Sequence, residues 1–374
     1  MLMYAVLEAR QVMHVRMILF PLLWALVLGS AVGANPPGAP YPHSKVVTKL
    51  TWDPAVVRIG QGDGGRDGVG DNWPTTWGDD GSLYVSYGDG PGFKKRGDQF
   101  FTIGFAKITG DPPAIRADDI PSDADTPVGW GNKGIKSSGQ VMVDRVIYMF
   151  VRNYQVNGDY RHSRLAWSKN LQKSWSWADW HFADTFGCPE FVQFGPNYAG
   201  ARDNYVYIAS QANNDAYAFS PDIVMARVPK DKIADRAAYR FYSGLDGKGA
   251  PAWSTDIRAR QPVFTDPKGT QRISLGYNKA LKRYILTSSH QVGQGPHNAS
   301  LAVFEAPEPW GPWSTVYYDD HWSGSDRTYH HRFPTKWMSP DGKTMWLLYS
   351  GLGGNNYAFI LKKATLDLAP GAVR

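Results

Sequence analysis

Two aspartates offer the first chemistry in this sequence. Asp71 and Asp89 bracket the stretch GDNWPTTWGDDGSLYVSYGDG, residues 70–90. Asp79-Asp80-Gly81 reads as a tight turn between two alternating runs, Trp73, Thr75, Trp77 and Leu83, Val85, Tyr87. Asp71 lies nine residues before Asp80 and Asp89 nine after it, so a regular hairpin sets the two acids opposite each other at its open mouth. Opposed residues of an antiparallel pair have Cβ atoms ~4.5–5.5 Å apart. Two carboxylates that close repel, and one is expected to keep its proton to a higher pH. A carboxyl pair among aromatics suits glycoside hydrolysis, in which one acid protonates the leaving oxygen while the other attacks the sugar or activates water. The competing reading is structural. Asp63, Asp67, Asp79 and Asp80 look like turn aspartates of a Gly-rich segment, and spacing leaves Asp71 and Asp89 open to the same role.

The elements that must hold the pair emerge from internal repetition. FPTKWMSPDGKTMWLLYSG, residues 333–351, repeats the pattern of the opening stretch: an aromatic, Pro-Thr-x-Trp, Asp-Gly, then a strand with aromatics at its centre. Weaker relatives begin at Lys136, Phe191 and Arg272. The second strands centre on Tyr84, Tyr148, Tyr207, Tyr284 and Trp346, at spacings of 64, 59, 77 and 62 residues. Each hairpin is followed by a further short alternating strand, and three of these continue through a polar turn into a Trp- or Tyr-bearing strand. Five units of four strands predict an all-β fold, a five-bladed β-propeller spanning residues 51–368. Residues 35–50 read as a tail or a ring-closing strand, and VPKDKIADRAA from Val228 as the one short helix. The 39 Gly and 26 Pro in 374 residues leave little room for long helices. A two-sheet sandwich is the alternative, against which the period of about 60 residues argues.

The stretches GDNWPTTWGDDGSLYVSYGDG, FGPNYAGARDNYVYIAS, MARVPKDKI, APEPWGPWSTVYY and the C-terminal repeat together resemble a secreted bacterial family long described as a domain of unknown function. Its characterised relatives include the mycobacterial endo-D-arabinanases, glycoside hydrolases on a five-bladed propeller. The resemblance covers about residues 50–366. It implies two catalytic aspartates on the first blade, which by motif fall on Asp71 and Asp89. One position departs: the second acid of the family is usually followed by Ser or Thr, and here by Gly90.

Further candidates come from the starts of the other inner strands. Lys136, Gln193, Arg272, His331 and Lys336 are placed to bind substrate, His331 aligning with Asp71 in the repeat; basic groups there would orient hydroxyls or hold a carboxylated sugar. Trp73 and Trp77 could stack on sugar rings, as could Trp310 and Trp313, although packing between blades competes and is favoured for the last two. Glu190 is a reserve general acid, from a region where the related arabinanase–invertase propellers often carry a carboxylate. His290, His297, His330 and His331 lack the tight spacing of a zinc site; no cofactor is expected, with a channel Ca²⁺ left open.

Arg10 and Arg16 precede the apolar run Met17 to Gly33, and Val32 and Ala34 supply small residues before Asn35. This reads as a signal peptide over residues 1–34, giving a secreted or periplasmic protein, with a membrane anchor as the alternative. The formal charge of +6 is mild, and no basic run suggests nucleic acid. Cys188 is the single cysteine and reads as a buried small hydrophobe. Asn298-Ala299-Ser300 is a glycosylation sequon relevant only in a eukaryotic host. A monomeric glycoside hydrolase acting on a poly- or oligosaccharide is the leading expectation. The alternatives are a polysaccharide lyase, with His331 and a Tyr moving the proton, and a catalytically silent carbohydrate-binding propeller.

Overall fold

The computed structural model describes residues 35–60, 69–94, 100–125, 133–295, 298–324, 326–352 and 357–372. The expected signal segment, Asp63, Asp67 and His297 lie outside them. The described chain is all-β, with no α-helix among the described residues. The stretch expected as a helix forms two 3-10 turns, Lys230–Lys232 and Arg236–Ala238.

Among the described residues, five antiparallel units of at least four strands follow one another along the chain. Sheet 1 comprises β2 (Thr75–Trp77), β3 (Leu83–Tyr87), β4 (Gly104–Asp111) and β5 (Ala114–Ile120); sheet 2 comprises β6 (Lys136–Val143), β7 (Val146–Val156), β8 (Asp159–Ser168) and β9 (Ser176–Phe182). Sheet 3 runs β10 (Glu190–Phe191), β11 (Tyr205–Gln211), β12 (Ser220–Pro229) and β13 (Arg240–Leu245), with β14 (Pro251–Ser254) added outside. Sheet 4 runs β15 (Pro262–Asn278), β16 (Arg283–Ser289), β17 (Leu301–Ala306) and β18 (Ser314–Asp319). Sheet 5 takes β19 (Arg327–Arg332), β20 (Thr344–Leu352) and β21 (Phe359–Leu368) from the C-terminus, and its outermost strand is β1 (Val47–Ile59), paired antiparallel with β21. The first half of the long β15 also pairs with β12, so sheets 3 and 4 share one hydrogen-bond ladder.

Neighbouring sheets pack face to face in cyclic order. β2 touches β6, β6 touches β10, β10 touches β15, and β15 touches β19. The fifth sheet meets the first: Trp73, Val85 and Ile108 share a core with Leu348, Phe359 and Leu361. The apolar cores therefore lie between sheets, as alternating strands buried on both faces require. Where backbones come closest, side chains are excluded. A Cβ on Gly139 would lie 2.7 Å from the Cα of Glu190, so sheets 2 and 3 can meet there only through glycine.

The first strands of sheets 1, 2, 4 and 5 share one irregularity near their leading ends. In sheet 1, Asn72, Trp73 and Pro74 stand against only Ser86 and Tyr87, because Asp71 pairs with Gly88 while Thr75 pairs with Val85. Register shifts recur between Ser137 and Gly139, between Gln271 and Ser274, and between Tyr329 and Arg332. Asn72, Arg272 and His330 adopt φ of 71°, 50° and 55° there. These are bulges, which re-aim side chains at the end of a strand.

Candidate active site

The leading ends of the first strands bring together a buried cluster of charge. Asp71 enters from the bulge before β2, Asp89 from just after β3, Lys136 from the first residue of β6, and Tyr329 from β19. The bulge at Asn72 is held from both sides. Its backbone N–H donates to Ser350 Oγ at 3.0 Å and its side-chain amide to the Ser137 carbonyl at 2.9 Å. The two aspartates are therefore not directly opposed, as a regular hairpin would have them. Asp71 faces Gly88, and Asp89 sits one residue further on at φ 46°.

Beyond Asp89 the chain runs hard against the strand before it. A Cβ on Gly90 would lie 2.3 Å from the Gly70 Cα, which accounts for glycine where the resembled family has Ser or Thr. Asp79 and Asp80 behave as turn residues: Arg145 pairs with Asp79, while Asp80 accepts from the Ser82 N–H and pairs with Lys107.

Each acid has a distinct partner. The Tyr329 hydroxyl donates to Asp71 Oδ2 at 2.7 Å, while Asp71 Oδ1 is buried without a partner among the described residues. Lys136 Nζ donates to Asp89 Oδ1, and both side chains are buried. Burial first, then the Asp71 charge, with Lys136 opposing, leaves the Asp89 carboxyl raised to about 6. Arg152, fully buried on β7, donates to the Ser137 carbonyl at 2.6 Å and adds positive potential to both acids. Burial, then the Asp71 charge, holds the Tyr329 and Tyr357 hydroxyls far above the usual tyrosine range.

Glu190 opens β10 and pairs with Arg332 at 3.2 Å, both about 2% exposed. Burial raises its carboxyl to about 7, with Arg332 pulling the other way. Cys188 is buried in the field of Arg152, Arg272 and Arg332, and burial raises its thiol. Arg272 lies on the β15 bulge, its guanidinium 4.8 Å from the Tyr217 ring and 5.0 Å from the Tyr329 ring.

The other expected site residues lie elsewhere. Trp73 is fully buried, 5.0 Å from the Phe359 ring, and its indole N–H donates to the Ala358 carbonyl, so it wedges sheet 1 against sheet 5. Trp77 pairs with Leu83 beside the turn, at the opposite end of the hairpin from the acids. Gln193 stitches sheets together: its amide donates to the Gln140 carbonyl at 2.7 Å, and its backbone bonds Leu275 and Tyr277. Lys336 binds Asp111 and the Gly110 carbonyl. These close β4 at the end about 20 Å from Gly104, which pairs beside the acids.

His331 packs on Trp322 and Tyr349, bonds Thr328 Oγ1 at 3.0 Å, and is pushed down to about 3 by burial. The bulge at His330 reverses the alternation, so Tyr329 takes the place by Asp71 that the repeat assigned to His331. A proton-abstracting His331 is thereby removed from the acids. His290 bonds Asp320 at 2.7 Å and stacks on Tyr318. Trp313 donates to the Val263 carbonyl and Trp310 stacks on Tyr242. No group of three His, Cys, Asp or Glu among the described residues is placed to hold a metal.

Tyr329, Arg152, Arg332 and Tyr357 are the site residues that sequence reasoning missed. Arg152 stands opposite Lys136 across the β6–β7 pair, and Arg332 follows the bulge in β19. Tyr329 stood two residues from the candidate chosen by alignment.

Structural comparison finds distant likenesses. A hydrolase of Bacteroides ovatus described only as putative is 12% identical over 82% of this chain and 86% of that chain, with a TM-score of 0.48. A GH43_1 enzyme of Xanthomonas citri is 13% identical over 84% and 94%, TM-score 0.47. The α-L-arabinofuranosidase of Podospora anserina is 10% identical over 87% and 99%, TM-score 0.48. No curated protein matches the sequence significantly. A family model does match, over residues 132–350, and the chain belongs to that family, described as a domain of unknown function, DUF4185.

Proposed function

We propose that this protein is a glycoside hydrolase on a five-bladed β-propeller, cleaving an arabinan-like or related polysaccharide with Asp71 and Asp89. The propeller reading is supported by the cyclic order of sheet contacts and by a last sheet completed from the N-terminal strand. The catalytic reading is carried by one observation: two buried carboxyl groups share the leading end of sheet 1, and one of them titrates near pH 6. A carboxyl with that value delivers a proton near neutrality, whereas an ordinary aspartate has already lost it. Asp89 is the general acid. Asp71 is the base or nucleophile, and the Tyr329 hydroxyl orients it. Lys136 keeps Asp89 from being too weak an acid. Glu190 titrates in the same range but is locked to Arg332, so it serves as the second candidate for the acid.

The test is release of reducing ends from a panel of purified polysaccharides, arabinans included. Asp71→Asn and Asp89→Asn are each expected to lower kcat by at least about 100-fold, with melting curves showing both variants folded. Turnover close to wild type in either variant removes that residue from the mechanism; loss confined to Glu190→Gln transfers the acid role to Glu190. Ultraviolet absorbance from an unsaturated product would mean a lyase. Secretion through residues 1–34 belongs to the same reading, and the secreted protein is expected to begin at Asn35 on N-terminal sequencing.

A further inference from the structure

We propose that the site recognises an anionic sugar, one bearing a carboxylate, sulfate or phosphate group, with Arg272 as the residue that binds the oxyanion. The inference rests on the carbohydrate reading above and narrows its substrate class away from an unsubstituted arabinan, which carries no charge, to a polysaccharide with anionic sugars or substituents.

Arg272 is about 4% exposed. Its guanidinium accepts two aromatic neighbours, Tyr217 and Tyr329, but makes no hydrogen bond and no ion pair among the described residues, and its Nε is buried without a partner. Arg152 and Arg332 share the unpartnered Nε, but each neighbouring buried cation has a hydrogen-bond or ion-pair partner through another nitrogen. Lys136 has Asp89, Arg152 has the Ser137 carbonyl, and Arg332 has Glu190. A guanidinium carries five donors in a rigid planar fork, and aromatic neighbours accept no conventional hydrogen bond from them, which leaves the fork to be matched by a planar or tetrahedral oxyanion. Leaving such a group desolvated and unmatched is unfavourable unless a ligand completes it.

The charge balance points the same way. Lys136, Arg152, Arg272 and Arg332 face three carboxyl groups, Asp71, Asp89 and Glu190, and the last two hold protons toward neutrality. The cluster is therefore short of negative charge. Arg272 is also held at φ 50° on a bulge, a backbone state that non-glycine residues occupy at a cost and that concentrates at binding sites.

Position ties the anion to the reaction. The Tyr329 ring that contacts Arg272 carries the hydroxyl that donates to Asp71. An oxyanion on Arg272 thus lies one side chain from the acid pair, as a substituent of the sugar being processed.

The experiment is calorimetric titration of the purified protein at low ionic strength with matched monosaccharides: glucuronate, glucose 6-sulfate and glucose 6-phosphate against glucose, and galacturonate against galactose, with inorganic sulfate and phosphate as sugar-free anions. At least one charged sugar is expected to bind tenfold or more tightly than its neutral counterpart, and the three anionic arms identify the source of the charge. Arg272→Gln should bring that ratio close to one. Arg272→Lys, which keeps the charge and loses the fork, should cut it at least threefold, and decides the matter should the Gln variant fail to fold. Equal binding of charged and neutral sugars overturns the proposal, as does an undiminished ratio in either folded variant. Binding of free sulfate or phosphate as tight as that of the charged sugar overturns its sugar component. Because monosaccharide binding needs no turnover, failure here is distinct from failure of the hydrolase assay.

Discussion

Replacing Lys136 with methionine tests the electrostatics of the acid pair directly. Asp89 titrates near 6 instead of 3.8 because burial and Asp71 raise it while Lys136 holds it down. An opposite charge at hydrogen-bonding range lowers an aspartate by about 1–3 pH units, so removing Lys136 leaves the two raising effects unopposed and should move Asp89 to about 7–9. Each pH unit corresponds to ~1.4 kcal/mol of lost stabilisation of the ionised form. The fold should survive near neutrality, because the stranded carboxyl takes up a proton instead of remaining a buried unpaired charge. The assay is a ¹³C NMR titration of the carboxyl groups in wild type and Lys136→Met, with Asp89→Asn to assign the signal. Asp71 and Asp89 interact, so the quantity to follow is the upper step of their joint titration. Once a substrate is in hand, the descending limb of kcat/KM should move the same way, because a general acid at Asp89, as proposed, must be protonated and its activity falls as pH rises through its pKa. A carboxyl signal that stays within about 0.3 pH unit of wild type would refute the assigned role of Lys136. A shifted carboxyl with an unmoved limb would exclude Asp89 as the acid.

The same pKa governs stability. A carboxyl whose folded pKa is raised from 3.8 to about 6 leaves stability untouched below 3.8, then costs about 3 kcal/mol as pH rises to 6, because the unfolded chain releases its proton first. Asp89→Asn should lack that decline, so denaturant melts at pH 4 and pH 6.5 should show the gap between variant and wild type widening in the variant's favour; a constant gap would contradict the raised pKa. Trp73→Ala should cost about 3–5 kcal/mol by opening the seam between sheets 1 and 5, while Trp73→Phe should retain kcat. A folded Trp73→Phe with lost substrate affinity would return this residue to the binding site.

The local pattern of the chain determined the five units. Alternation of period two and Asp-Gly turns act between residues a few positions apart, so the hairpins around Asp80-Gly81 and Asp341-Gly342 could be read from nearby residues. That Asp71, Asp89 and Lys136 lie at neighbouring strand ends was legible for the same reason, because the two acids end one hairpin and Lys136 begins the first strand of the next unit. Their geometry was not. The bulge that moves Asp71 from Asp89 to Gly88 is held by Asn72 bonding to Ser350 and Ser137, partners 278 and 65 residues away along the chain. One inserted residue reverses which side chains face inward, which put Tyr329 and Arg332 in the cluster and sent His331 into a seam. Trp73 and Trp77 have the composition of sugar platforms, but burial against Phe359 or placement at the far end of the hairpin depends on how the sheets meet. The protonation of Asp89 and Glu190, and the unmatched charge of Arg272, arise from desolvation among five strand ends. Only the tertiary structure brings those ends together.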